Sequence, residues 1–186
     1  MTVVPMVVTE TEISGLVVIR LKQVDDERGV VREFYRESEW REAGLPSLGP
    51  WLQTNVTESK RGALRGLHGE RMNKLVGVVA GSAFGAYVDT RPGSTSLGKV
   101  VTMELTAGTA VLVPDGVCNG FQTTSELSQY LYCFDAEWAP GMAGPSIDAL
   151  DPALAIVWPL PIDRADPAQL SERDRSLPTL AEHLAN

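Results

Sequence analysis

The chain has 186 residues, 44% of them apolar, and a formal net charge of −8. That length and apolar share suit one globular domain with its own core. The acidic balance excludes a nucleic-acid binder, which needs a basic stripe, and no apolar run approaches the roughly 20 residues that cross a bilayer as a helix.

The opening stretch, MTVVPMVVTETE, lacks a basic segment followed by a long apolar one, so no secretory leader is expected and the protein is read as cytoplasmic. Residues 1–14 form an N-terminal arm. Short apolar runs then recur at 15–21, 30–35, 51–57, 75–80, 83–89, 99–105, 109–113, 120–124 and 129–138. Turn signals separate them, among them Arg28-Gly29, Gly81-Ser82, Arg91-Pro92-Gly93-Ser94, Ala107-Gly108 and Pro114-Asp115-Gly116. Helical periods between the runs are weak. The pattern predicts an all-β antiparallel sandwich or barrel. Short helices are expected at 37–43, stopped by Gly44, and at 179–184, just after Pro178. Residues 160–169, rich in Pro, Asp and Ala, read as a connecting loop, and 160–186 as a C-terminal loop and short helix on a single domain spanning 1–186. Cys118 and Cys133 fit a reducing compartment, and Cys133 reads as a small buried apolar residue within a strand.

Histidine is scarce: only His68 and His183 are present. His183 lies in the polar tail and reads as solvated. His68 sits in Arg65-Gly66-Leu67-His68-Gly69-Glu70, followed by Lys74 at the start of a Val-rich strand. His68 and Glu70 could supply two metal ligands, but the imidazole-rich donor set common in metal jelly rolls is missing. The Pro-Cys-x-x-Cys partner of a zinc deaminase motif is also missing. There is no Gly-x-Ser-x-Gly elbow and no glycine-rich phosphate loop. A His, a Lys, tyrosines and carboxylates on a β scaffold suit acid–base chemistry at a carbon acid, without metal or cofactor.

Ordered along the chain are Asp26-Glu27-Arg28-Gly29, Leu52-Gln53-Thr54-Asn55, Arg65-Gly66-Leu67-His68, Lys74-Leu75-Val76, Val88-Asp89-Thr90-Arg91-Pro92-Gly93-Ser94, Val113-Pro114-Asp115-Gly116 and Asn119-Gly120-Phe121. Asp151-Pro152, Ile156-Val157-Trp158-Pro159 and Leu170-Ser171-Glu172-Arg173-Asp174 follow. In this order and spacing the chain resembles the dTDP-4-dehydrorhamnose 3,5-epimerase family, from about Gly15 to Pro178. The resemblance implies a cupin-like jelly roll with short peripheral helices. It also implies a nucleoside-diphosphate 4-keto-6-deoxy sugar as substrate, epimerised at carbon 3, carbon 5 or both through an enolate.

By that resemblance His68 is the base and Asp174 its carboxylate partner. Lys74 stabilises the enolate oxygen, and Tyr132 is the acid on the opposite face, with Tyr130 the alternative. Asp174 could instead only support the start of the last helix. Arg65 would hold the diphosphate. Gln53 and Asn55 would line the site near the nucleotide, and Asn119 and Trp138 would contact the substrate. Arg28 and Glu33 would reach into a neighbouring subunit's site, implying a homodimer with strand exchange.

Four departures stand out. Asn119 occupies a position where the family usually has His, and Asn cannot titrate near neutral pH. The loop after His68 is about four residues shorter than the family's pattern. Trp138 replaces a frequent Tyr, and Val31 a frequent Phe. They leave open a modified deoxysugar or another nucleotide, a ketoisomerase that moves the carbonyl, a non-catalytic sugar-nucleotide binder, and a metal-dependent cupin oxidoreductase.

Overall fold

Strand follows strand along almost the whole chain. A computed structural model describes residues 1–47, 49–140 and 142–185. Its strands are β1 (Thr2–Val4), β2 (Val7–Glu10), β3 (Val17–Arg20), β4 (Lys22–Asp26), β5 (Gly29–Glu33), β6 (Gln53–Lys60) and β7 (Leu64–Glu70). There follow β8 (Lys74–Ala80), β9 (Ser82–Asp89), β10 (Val100–Thr106), β11 (Thr109–Val113), β12 (Val117–Thr123), β13 (Leu127–Phe134) and β14 (Ala143–Ser146). The helices are α1 (Glu37–Glu42), α2 (Glu172–Arg175) and α3 (Leu180–Ala185).

A six-stranded sheet, in the order β2-β3-β11-β8-β13-β6, packs against a five-stranded one, β10-β9-β12-β7-β14. Their strand pairs are antiparallel. A small third sheet, β1-β4-β5, holds the first strand of the N-terminal arm and the Arg28 hairpin, while β2 of the arm joins the six-stranded sheet. This is an antiparallel sandwich of the kind the apolar runs predict, and the jelly roll that the resemblance implies.

Between the sheets, Val76, Val78, Val111 and Tyr130 of the six-stranded sheet meet Ala83, Tyr87, Leu105 and Phe121 of the five-stranded one. The outer faces are covered as well. Trp40 of α1, with Phe34, Tyr35, Leu45 and Trp51, packs over Ile19, Leu75 and Leu112. Ile147, Leu154 and Leu170 of the C-terminal segment cover Leu67, Ala86 and Val88. Burial on both faces explains why β12 is buried at every position and why β8 reads as a nearly continuous apolar run.

The nine expected strands all form, and 160–169 is irregular as expected. Strands β1, β2, β4, β7 and β14 and helix α2 are additions. The most consequential is β7, which carries His68. Its glycines disguise it: a Cβ on Gly66 would lie 2.5 Å from the Gly120 Cα, and one on Gly69 would lie 2.8 Å from Pro145. Glycine there reflects close backbone approach by β12 and β14, not a turn. Among the described residues, no helix is long and apolar enough to cross a membrane.

Candidate active site

The mouth of the jelly roll is built where β7 of one sheet faces β13 of the other. In the β7–β12 ladder His68 lies opposite Asn119 and Arg65 opposite Phe121, so three steps on β7 match two on β12. Such a bulge re-aims side chains. It brings Arg65 and His68, which strict alternation would point to opposite faces, to the same opening. Two adjoining cavities, of about 350 and 180 Å³, share Thr57, Arg65, His68 and Tyr132 in their walls.

His68 donates from Nε2 to Asp174 Oδ1 at 2.6 Å. Asp174 is buried on α2, whose start is capped by Ser171 Oγ accepting from the Asp174 amide at 3.1 Å. Thus the residue shapes the helix end and also reaches the imidazole. Burial penalises the Asp174 carboxylate, but hydrogen bonds from His68, Ser171 and the Gly66 amide outweigh this and hold its pKa below the ordinary aspartate range. An ionised Asp174 accepting from Nε2–H leaves the Nδ1 lone pair free to take a proton.

Tyr130 and Tyr132, two apart on β13, both face inward, so alternation does not choose between them. They differ in depth: Tyr130 is fully buried against Phe121, ring centroids 4.2 Å apart, whereas Tyr132 lines both cavities. Tyr132 is braced by Tyr130 and Phe134, with centroids at 5.0 and 5.8 Å. Desolvation, followed by the proximity of Tyr130 and Glu70, pushes the Tyr132 phenol well above its usual pKa, so it is held protonated.

Lys74 is almost wholly buried. Its Nζ donates to the His68 carbonyl at 3.3 Å and is paired with Glu70. Glu70, two residues beyond His68 on the same face of β7, lines the smaller cavity, and Lys74 stands behind it. From the sequence, Glu70 stands out only as a possible metal ligand beside His68. Its spacing of two from His68 was the signal for a site role, visible once β7 is recognised as a strand. Among the described residues, no group of three or more His, Cys, Asp or Glu side chains is placed to hold a metal ion.

The other candidates divide into two groups. Arg65, its Nε donating to Ser59 Oγ at 2.8 Å, lines both cavities. Asn55 and the buried Asn119 line the smaller one. Gln53 adjoins Asn55, donating to its Oδ1 at 3.3 Å, and accepts from the Trp138 amide at 2.7 Å. The indole of Trp138 is exposed, outside the cavity walls. Arg28, in the turn between β4 and β5, is paired with Asp26, and Glu33 at the end of β5 with Arg36; neither lines the two cavities. His183, expected to be solvated, is half-buried and lines a separate cavity of about 630 Å³ with Arg71 and Arg91. Cys118 and Cys133 are both buried, and burial pushes the Cys118 thiol up to about 12.

A jelly roll that brings a His–Asp pair and a phenol to adjoining cavities has the groups that acid–base chemistry uses. The model of the family described as dTDP-4-dehydrorhamnose 3,5-epimerase matches residues 10–182. The dTDP-4-dehydrorhamnose 3,5-epimerase of Salmonella typhimurium is 32% identical over 185 residues, covering 96% of this chain and 98% of its own. The dTDP-4-dehydro-6-deoxyglucose 3-epimerase of Streptomyces bikiniensis is 35% identical over 162 residues, 84% of this chain and 80% of its own. A solved dTDP-6-deoxy-D-glucose-3,5-epimerase from Legionella pneumophila, in complex with dTDP-4-keto-L-rhamnose, superposes with a TM-score of 0.84 at 33% identity, covering 97% of each chain. The chain belongs to the dTDP-4-dehydrorhamnose 3,5-epimerase family, whose members are isomerases on a cupin-like fold.

Proposed function

We propose that this protein epimerises a nucleoside-diphosphate 4-keto-6-deoxy sugar, with dTDP as the nucleotide carrier, at carbon 3, carbon 5 or both. The ketone acidifies the hydrogens on the two neighbouring ring carbons. His68 Nδ1 removes one, and the C–H electron pair moves into the ring to form an enolate. Asp174 stabilises the imidazolium so formed. An N–H of Lys74 stabilises the developing enolate oxygen. Tyr132 returns a proton from the opposite face, which inverts the carbon. No step in this route needs a metal.

Arg65 holds the diphosphate, where a forked guanidinium suits phosphate oxygens. Asn55, Gln53 and Asn119 line the sugar and nucleotide path, and Trp138 shields its rim. Arg28 and Glu33, which do not line the cavities of their own chain, are offered to the site of a second copy in a homodimer.

The observation that carries this reading is the 2.6 Å His68–Asp174 contact at a cavity that Tyr132 lines from the facing sheet. The test is incubation with dTDP-4-keto-6-deoxyglucose in heavy water, followed by NMR of the ring protons beside the ketone. Deuterium entering with inversion at carbon 3 or 5 is expected. No exchange at either carbon with any of several nucleotide carriers overturns the proposal, and relocation of the carbonyl signal indicates a ketoisomerase instead.

A further inference from the structure

Lys74 poses an electrostatic problem that the acid–base route leaves open. Its side chain is 2% exposed, so water does not solvate the ammonium. A charge held in that way persists only with a counter-charge in contact. The groups in and around the site can be weighed in turn. The His68 carbonyl at 3.3 Å supplies a dipole only. Tyr132 on β13 is a protonated phenol, and Cys118 on β12 is a buried neutral thiol. Arg65 carries the same sign as Lys74. Asp174 is committed to His68. Asp135, just past β13, is held by Asn73. Glu70 remains: among the described residues it is the only carboxylate paired with Lys74. It is itself 21% exposed and lines the sugar-sized cavity.

We propose that Glu70 is a positioning residue that keeps Lys74 charged and directed at the cavity, so that oxyanion stabilisation depends on a carboxylate two residues beyond the base. This rests on the epimerase reading for the role of Lys74, although the ion-pair claim can be tested without it. An ammonium has three N–H donors. Glu70 and the His68 carbonyl take two, which leaves one for the substrate oxygen. Replacing Glu70 by Gln preserves the shape but removes the counter-charge, and burial then favours the neutral amine. The loss should grow as the pH rises. Removing the Glu70 charge also acts on His68, which lines the same cavity, so the ratio is measured again in a Lys74→Met background; a pH dependence that persists there in full arises at the base and overturns the proposal.

Two measurements on the full chain decide the matter. The first is heavy-water exchange by wild type, Glu70→Gln and Glu70→Asp. The Glu70→Gln to wild-type rate ratio is expected to fall at least about tenfold between about pH 6 and about pH 9, with Glu70→Asp close to wild type. The second is NMR of lysine labelled at Cε in the substrate-free protein. Only four lysines are present, so Lys74 can be assigned from Lys74→Met. Its signal is expected to titrate in Glu70→Gln within that range and to stay that of an ammonium in wild type. A rate ratio independent of pH, or a Lys74 signal unchanged in Glu70→Gln, overturns the proposal. If wild type shows no exchange, the epimerase reading fails while the lysine titration still decides the ion pair. If Glu70→Gln does not fold, the double variant Glu70→Gln/Lys74→Met should restore the fold, since it removes the uncompensated charge. Failure to restore it also overturns the proposal.

Discussion

Replacing Asp174 by Asn tests the catalytic geometry with little change in shape. The wild-type contact is a 2.6 Å hydrogen bond between a buried carboxylate and an imidazole that is 27% exposed. When His68 takes a proton from carbon, it becomes a cation beside that anion. With charge centres about 4 Å apart and an effective dielectric constant of about 20, the attraction is about 4 kcal/mol. An amide keeps the shape and some dipole but loses the charge, so the expected cost to the proton-transfer step is about 2–4 kcal/mol. At 1.36 kcal/mol per decade that is roughly a 30- to 1,000-fold fall in rate. An Asn that turns its NH₂ toward Nε2 also imposes the wrong tautomer, which adds to the loss. The assay is deuterium incorporation under saturating substrate, beside a thermal melt that shows the fold intact. Asp174→Asn exchanging within about threefold of wild type would exclude the charge of Asp174 as a major support for His68, because the carboxylate would then contribute less than about 1 kcal/mol.

The remaining predictions concern the donor, the anchor, the scaffold and the acid limb. Tyr132→Phe keeps the ring stacked on Phe134 but removes the hydroxyl proposed as the proton donor. It should retain solvent exchange by His68 while inversion, read by NMR of the product sugar, falls by about 10²–10⁴. Arg65→Lys loses the forked geometry; calorimetry should show about tenfold weaker nucleotide-sugar binding, with kcat less affected than KM. Trp40→Ala empties a fully buried site beside Tyr35, with ring centroids 5.1 Å apart. It should cost about 3–5 kcal/mol in denaturant unfolding, with exchange per folded molecule unchanged. Asp174 has its folded pKa below the ordinary 3.8, so its contribution is complete above that value and disappears as pH falls through the folded value. The stability gap between wild type and Asp174→Asn should therefore narrow in acid melts below about pH 4.

Much of this architecture can be read from short apolar runs and the turn residues between them: β9, buried at five consecutive positions, is bounded by Gly81 before it and by Pro92 and Gly93 after it. What escapes the sequence depends on neighbours that are remote along the chain. Strand β7 looks like a glycine-rich loop because its glycines answer to β12 and β14. The choice between Tyr130 and Tyr132 is one of depth, not of face, and depth along a strand has no signature in a period of two. Asp174 could be paired with His68 only through resemblance, since 106 residues separate them. Glu70 shares a face with His68, yet its pairing with a buried Lys74 is a tertiary fact. The half-burial of His183 likewise comes from α3 docking, which a polar tail does not announce.

The account depends on His68 being the group that removes hydrogen from carbon. The most direct measurement is single-turnover deuterium incorporation by wild type and His68→Asn, each shown folded by its melt, with dTDP-4-keto-6-deoxyglucose in heavy water. Label beside the ketone in wild type, and its loss by at least about 10²-fold in the variant, is the predicted result. Equal labelling by both proteins would contradict the account.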